Sequence, residues 1–117
     1  MKYRLSICIP TLNRAAYISE TLNSIVSQIN EQVEVVIVDG GSKDGTEEIV
    51  KSYQGKFPQI RFFRSEADGS GPSIGGFDRD CNLAVELSQG EYCWLMTDDD
   101  LLLPGAIQKI LHEIEYE

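Results

Sequence analysis

Val33-Glu34-Val35-Val36-Ile37-Val38-Asp39-Gly40-Gly41-Ser42-Lys43-Asp44-Gly45-Thr46-Glu47 is the stretch that decides the fold. The β-branched run from Val33 to Val38 favours a strand over a helix. Gly40, Gly41 and Gly45 permit tight turning, and Asp44 with Glu47 has capping-box spacing for a helix reaching about Tyr53. The unit is therefore strand, turn, helix. The same unit precedes it: Leu5-Ser6-Ile7-Cys8-Ile9 is a short apolar run ended by Pro10, the pattern of a strand buried on both faces. Asn13 is placed to cap the next helix, where Ile18, Leu22, Ile25, Val26 and Ile29 recur at three- and four-residue spacing.

Two more units follow. Ile60-Arg61-Phe62-Phe63-Arg64 reads as a third strand, and the glycine-rich stretch from Asp68 to Gly76 leads into a helix carrying Cys81, Ala84, Val85 and Ser88, with Gly90 as its stop. Glu91 to Thr97 reads as a fourth strand that delivers Asp98, Asp99 and Asp100. Pro104 suits the first turn of a last helix, with Ile107, Ile110, Leu111 and Ile114 on one face. Four strands alternating with four helices imply an α/β fold, a Rossmann-like, mostly parallel sheet with helices on both faces joined by right-handed crossovers. No repeat, linker or second domain interrupts residues 1–117.

The chain has 117 residues, 10 Lys+Arg against 19 Asp+Glu and a net charge of −9, with 42% hydrophobic residues. That balance excludes a disordered tail, and it opposes attraction to nucleic acid or anionic lipid, which share its sign. No apolar run approaches the roughly 18–20 residues that span a bilayer, and the N-terminus reads as neither signal peptide nor anchor. Cys8, Cys81 and Cys93 are odd in number and scattered over three elements, so they are expected to be reduced packing residues of a cytoplasmic protein. His112, the sole histidine, falls late in the last helix with no partner in the sequence and is expected at the surface.

In an open α/β sheet a ligand sits outside the carboxyl ends of the strands. Those places hold Pro10-Thr11-Leu12-Asn13-Arg14, Asp39-Gly40-Gly41-Ser42, the glycine-rich stretch, and Asp98-Asp99-Asp100. Three adjacent carboxylates repel one another unless a cation or hydrogen bonds compensate. Hard oxygens suit Mg²⁺ or Mn²⁺ shared with substrate phosphates, while the plainer reading is a solvated turn capping the last helix. The position directly after an apolar strand favours the metal. Asp39 has two readings: an acceptor for a ribose or base, at a turn outside the core, or a turn-former bonding its own backbone. Arg14 faces a phosphate or faces solvent. The glycines from Gly69 to Gly75 follow the third strand rather than the first, so they make a loop and not a dinucleotide fingerprint.

In this order Ile7-Cys8-Ile9-Pro10-Thr11-Leu12-Asn13-Arg14, Val36-Ile37-Val38-Asp39-Gly40-Gly41-Ser42-Lys43-Asp44-Gly45-Thr46, and Gly90-Glu91-Tyr92 running into Thr97-Asp98-Asp99-Asp100 resemble glycosyltransferase family 2. Gly76-Phe77-Asp78-Arg79-Asp80 looks like its abequosyltransferase-type branch, which acts in surface-polysaccharide assembly. The resemblance implies a truncated GT-A fold, a nucleotide-sugar donor, a divalent cation (Mn²⁺ or Mg²⁺), and inverting transfer to a saccharide or lipid-linked acceptor. It implies that Pro10, Thr11 and Arg14 line the nucleotide pocket, that Asp39 bonds the base or ribose, and that Asp98 lies near the ribose. Asp98, Asp99 and Asp100 are the metal candidates. Extended alternation would pair Asp98 with Asp100, but an ending strand favours Asp99.

Two departures stand out. Gly40 occupies the place where the family often has a second acid, so that contact is expected to be lost. No counterpart of the family's downstream general base precedes Glu117, so residues 1–117 read as the donor-binding half, with the acceptor-binding half absent and little transfer expected from them alone. Peripheral membrane association of the parent and self-association through an uncovered last strand bearing Tyr92, Trp94 and Leu95 are further expectations. A receiver-type signalling domain would want paired acids after the first strand, and a dinucleotide oxidoreductase its glycines there; Pro10-Thr11 fits neither. A nucleotide- or sugar-binding module without catalysis is the remaining alternative.

Overall fold

In a computed structural model, which describes residues 3–65 and 76–115, strands and helices alternate. They are β1 (Tyr3–Thr11), α1 (Ala15–Val26), β2 (Val33–Asp39), α2 (Thr46–Gln54), β3 (Ile60–Arg64), α3 (Gly76–Leu87), β4 (Gly90–Leu95) and α4 (Ala106–Glu115). The strands form one parallel sheet in the order β3-β2-β1-β4. The chain steps from β1 outward to β3 and then returns past β1. Right-handed crossovers taken in opposite directions put their helices on opposite faces. Ile18, Leu22 and Ile25 of α1, Val50 of α2 and Ile107 and Leu111 of α4 accordingly share one core with Leu5, Ile7, Ile9, Val33, Val35 and Ile37. Ala84 of α3 packs on Cys8, Val36 and Val38 across the sheet. Full burial of each such Val, Ile or Leu side chain contributes about 1.5–3 kcal/mol.

Several boundaries differ from the sequence reading, each for a physical reason. β1 runs through Pro10 to Thr11. Amide and carbonyl of one strand residue address the same neighbour, and neighbours alternate along the chain. Cys8 O accepts from Met96 N and Thr11 O from Gly40 N, so Pro10, two residues from Cys8, turns its missing amide toward β4. The last pairing with β4 is Cys8 with Leu95, so no ladder bond is lost and the two strands part there. Gly90 begins β4 rather than stopping α3, because a Cβ there would stand 2.9 Å from the Leu5 carbonyl carbon. Pro104 lies in the turn before α4, not inside it. Asn13 does not cap α1: it takes φ 53°, and its Oδ1 accepts from Lys43 N (2.8 Å). Val85 of α3 is exposed.

Cys8 and Cys81 are buried and Cys93 is exposed, so the last is not a packing residue. Burial pushes the Cys8 thiol up to about 12. His112 is exposed near the end of α4, as expected. No helix among the described residues is long and apolar enough to cross a membrane. β4 is an edge strand whose Glu91, Cys93 and Leu95 are exposed, whereas Tyr92 and Trp94, expected to be uncovered, pack partly into the core of α1 and α4.

Glu34 is the feature the sequence reading missed. It is wholly buried within β2, where its Oε2 accepts from Ser6 Oγ (2.6 Å) and Gln89 N (2.5 Å). Its Oε1 accepts from Arg61 (3.0 Å), which also donates to Leu87 O (2.9 Å). The carboxylate thus fastens the α3–β4 connection to the sheet. Removing one partner of a buried pair leaves the others unsatisfied, so Glu34→Ala is expected to destabilise by about 3 kcal/mol or more. Chemical denaturation checks this; a loss below about 1 kcal/mol, the range of exposed pairs, would contradict it.

Candidate functional site

Because strand order reverses between β1 and β4, the crevice of an open parallel sheet lies at their carboxyl ends. Thr11, the last residue of β1, is buried and donates from Oγ1 to Asp98 Oδ2 at 2.9 Å. Arg14 Nε approaches Asp98 Oδ1 at 3.4 Å and its guanidinium lies over the Tyr17 ring, so it faces a carboxylate while staying exposed to solvent. Thr21 of α1 donates to the Asp98 backbone oxygen at 2.9 Å. Pro10 is buried beside them at the parting of β1 from β4. Thr11, Arg14 and Asp98 are therefore brought together.

β4 ends at Leu95, earlier than expected, and the triplet sits in a turn. That turn separates the three acids: Asp98 points inward and is 9% exposed, while Asp99 and Asp100 are exposed. Asp99 Oδ1 accepts from Thr97 Oγ1 (3.1 Å). Among the described residues no three Asp, Glu, His or Cys converge as a ready metal cluster. The donor set still fits Mg²⁺ or Mn²⁺, which take one or two carboxylates and complete their coordination with substrate phosphates and water. Both Asp98 oxygens are engaged, so exposed Asp99 is the acid best disposed for this, with Asp100 adjacent.

Asp39 pairs in register with Thr11 one strand away. The turn-forming reading accounts for one of its two oxygens. Its Oδ1 accepts from Gly41 N (2.8 Å) and Ser42 N (2.6 Å), the bonds of a turn-former. Its Oδ2 is buried with no hydrogen-bond partner among the described residues, an exception to the usual pairing of buried polar atoms. Asp39 has no exposed surface, so it belongs to the core rather than lying outside it. Beside it, a Cβ on Gly40 would stand 2.7 Å from Asp80 Oδ2. Asp80 reaches in from α3, buried, its Oδ1 accepting from Ser65 Oγ at 2.5 Å. An acid thus does lie next to Gly40, supplied by a different element; only knowledge of which helix covers β2 reveals it. Residues 68–75 of the glycine-rich stretch fall outside the described residues.

The two loops flanking the crevice are laced together. Asn13 N donates to Ser42 Oγ (2.8 Å), Arg14 N to Thr46 Oγ1 (3.1 Å) and Ala15 N to Asp44 Oδ2 (3.1 Å). Asp44, foreseen as the cap of α2, stands one residue before the actual cap Gly45, where it accepts from Thr46 N (3.0 Å) and takes the first amide of α1. Its hydrogen bond from the Thr46 hydroxyl holds it below the usual carboxylate range. That contribution is present above the ordinary carboxylate pKa and is lost as pH falls.

Asp98 has the opposite sign: burial raises its pKa against the pull of Thr11 and Arg14. A raised folded-state pKa means its favourable contribution is present at low pH and lost as pH rises through that value. Ionising the Asp98 carboxylate therefore costs the fold stability. Asp98→Asn, which keeps an acceptor for Thr11, is expected to melt higher than the parent at pH 7, with the gap closing toward pH 4. Thermal melts at both values check this; a lower melting temperature at pH 7 would show that Arg14 outweighs desolvation.

The profile of Glycosyl transferase family 2 matches residues 6–117. The abequosyltransferase RfbV of Salmonella typhimurium is 38% identical over 105 residues, 88% of this chain and 30% of its own length. S. aureus TarS 1-349 in complex with UDP-GlcNAc superposes with a TM-score of 0.80 at 29% identity, over 97% of this chain and 31% of that one. The mannosyltransferase PcManGT from Pyrobaculum calidifontis, in complex with GDP-Man and Mn²⁺, gives 0.68 at 28% identity, over 91% of this chain and 30% of that one. The chain spans about a third of the length of these relatives. With the parallel sheet, its reversal beside β1 and the acids at its carboxyl ends, these matches establish that the chain belongs to glycosyltransferase family 2 and has the Rossmann-like sheet of a GT-A fold, in truncated form.

Proposed function

We propose that residues 1–117 are the nucleotide-sugar-binding part of an inverting glycosyltransferase whose acceptor-binding half and general base come from residues beyond Glu117 of a longer protein. The observation that carries this reading is the unpartnered, buried Asp39 Oδ2, one strand from the Thr11–Asp98 pair at the reversal of strand order. A carboxylate held rigid by two backbone amides and left with one free acceptor is suited to an N–H or O–H of a base or ribose. Asp39 has no exposed surface, so entry of the nucleoside requires a neighbouring group to move aside. Pro10, Thr11 and Arg14 form the adjoining wall, with Asp98 on the ribose side. The likeness to RfbV, TarS and PcManGT, the last two bound to nucleotide sugars, supports the same reading.

Asp99, with Asp98 and Asp100 beside it, would hold a divalent cation on the donor diphosphate. The cation would offset negative charge developing on the departing nucleoside diphosphate. A protein of net charge −9 with three adjacent aspartates repels a free diphosphate, which supports a metal requirement. The acceptor is a saccharide or lipid-linked saccharide, the setting cell-surface polysaccharide assembly at the cytoplasmic face of a membrane, and the parent peripheral to it.

Calorimetric titration with UDP, CDP, GDP and dTDP tests the reading. At least one is expected to bind in Mn²⁺, and EDTA or Asp99→Asn to weaken it tenfold or more, about 1.4 kcal/mol. Asp39→Ala is expected to weaken binding as well. Equal affinity with and without metal would sink the metal requirement. Unchanged affinity in Asp39→Ala, despite a lower melting temperature, would reduce that residue to a turn-former.

A further inference from the structure

The ten residues between β4 and α4, 96–105, carry the acid triplet and form neither strand nor helix. Backbone groups in such a segment need partners from elsewhere if it is to keep one conformation. Apolar burial fixes its start, where Met96 is 3% exposed in the core, but little of the rest: Leu101 and Leu103 are 57% and 77% exposed, and Leu102 packs only partly into the core. α1 supplies what is missing. Thr21, Ser24 and Gln28 stand three and four residues apart, at the spacing of one helix face. Thr21 Oγ1, wholly buried, donates to Asp98 O at 2.9 Å. Ser24 Oγ accepts from Leu102 N at 3.0 Å. Gln28 Nε2 donates to Leu103 O at 3.0 Å, and Gln28 Oε1 accepts from Ile107 N at 2.9 Å, one of the amides that the start of α4 leaves open. The stripe is itself connected, since Ser24 Oγ donates to Thr21 O (2.7 Å) and Gln28 Nε2 also reaches Ser24 O (3.0 Å).

We infer that Thr21, Ser24 and Gln28 are positioning residues: a polar stripe on α1 that holds the backbone from Asp98 to Ile107 in the one conformation that presents the acid triplet to the donor diphosphate. Its functional half rests on the donor-site reading above; its structural half does not. Thr21 grips Asp98 from the main chain while Thr11 grips its side chain, so the first acid is fixed at both ends and the turn carrying Asp99 follows from it. When such an anchor is lost the segment samples other conformations. Apparent affinity then falls in proportion to the fraction still competent.

The test pairs amide hydrogen exchange with nucleotide titration in Mn²⁺, on Thr21→Val, Ser24→Ala and Thr21→Ser. Thr21→Val keeps the shape and removes the donor; Thr21→Ser restores it. The expected result is faster exchange across residues 98–103 in the first two variants, with β1 and β2 amides still protected. Nucleotide affinity is expected to drop about fivefold or more, the effect of a competent fraction near one fifth, and Thr21→Ser to return both toward the parent. Where Thr21→Val loses β1 protection as well, Gln28→Ala decides, with faster exchange from residue 103 to 107 and weaker binding expected. Unchanged exchange in the triplet segment overturns the inference, and so does faster exchange with unaltered affinity, which would leave the stripe a purely structural anchor. A parent chain that binds none of the four nucleotides would instead sink the donor-site reading, while the exchange comparison would still decide whether the stripe sets the segment.

Discussion

The reversal of strand order beside β1 is the constraint from which the rest of the structure follows. All four strands are parallel, so every strand-to-helix loop emerges at the same end of the sheet. The chain leaves β1 in one direction and comes back on its other side, so α1 and α3 must cover opposite faces. Pro10 makes the opening: it has no amide to offer β4, and the ladder between the two strands ends two residues before it. What lies at that opening is polar by sequence and buried by topology, and this combination gives Asp98 its raised pKa and Asp39 its orphaned oxygen.

The elements built on local pattern were legible in the sequence. Ile60–Arg64 is a strand with the bounds its composition implies, and the run from Val33 needed only Asp39 added to it. Where the reading slipped, a tertiary neighbour overrode a local rule. Pro10 ends strands whose next partner needs its amide; here that partner has turned away. Gly90 resembles a helix stop, but it is glycine because β1 passes too close for a side chain. Asn13 has the chemistry of a cap, yet Asp44 takes the α1 amide from the neighbouring loop and leaves Asn13 to bind Lys43.

The candidate site divides in the same way. Its acids were visible because strand ends can be read from apolar runs, and their two competing roles were visible because Asp is both a turn-former and an acceptor. How they share those roles was not visible. Asp98 turns inward and Asp99 outward only because Thr11 and Thr21 draw the first of them into the sheet. The roles of Glu34, of Asp80 beside Gly40 and of the Thr21-Ser24-Gln28 stripe escaped notice for a related reason. A lone polar residue inside an apolar run or helix carries no signal until it is known which element faces it, and each of these three acts on a segment at least fifteen residues away.

The central claim is that the crevice opened at Pro10 receives a nucleoside against Asp39. A crystal structure of the chain grown with Mn²⁺ and whichever nucleoside diphosphate binds it tests that claim most directly. The account predicts a base or ribose donor within hydrogen-bond distance of Asp39 Oδ2 and a diphosphate beside Asp99 with the cation between them. A nucleotide seated elsewhere, for instance in the cavity lined by Arg4, Gln32 and His112 at the opposite end of the strands, with Asp39 Oδ2 still unpartnered, would contradict it.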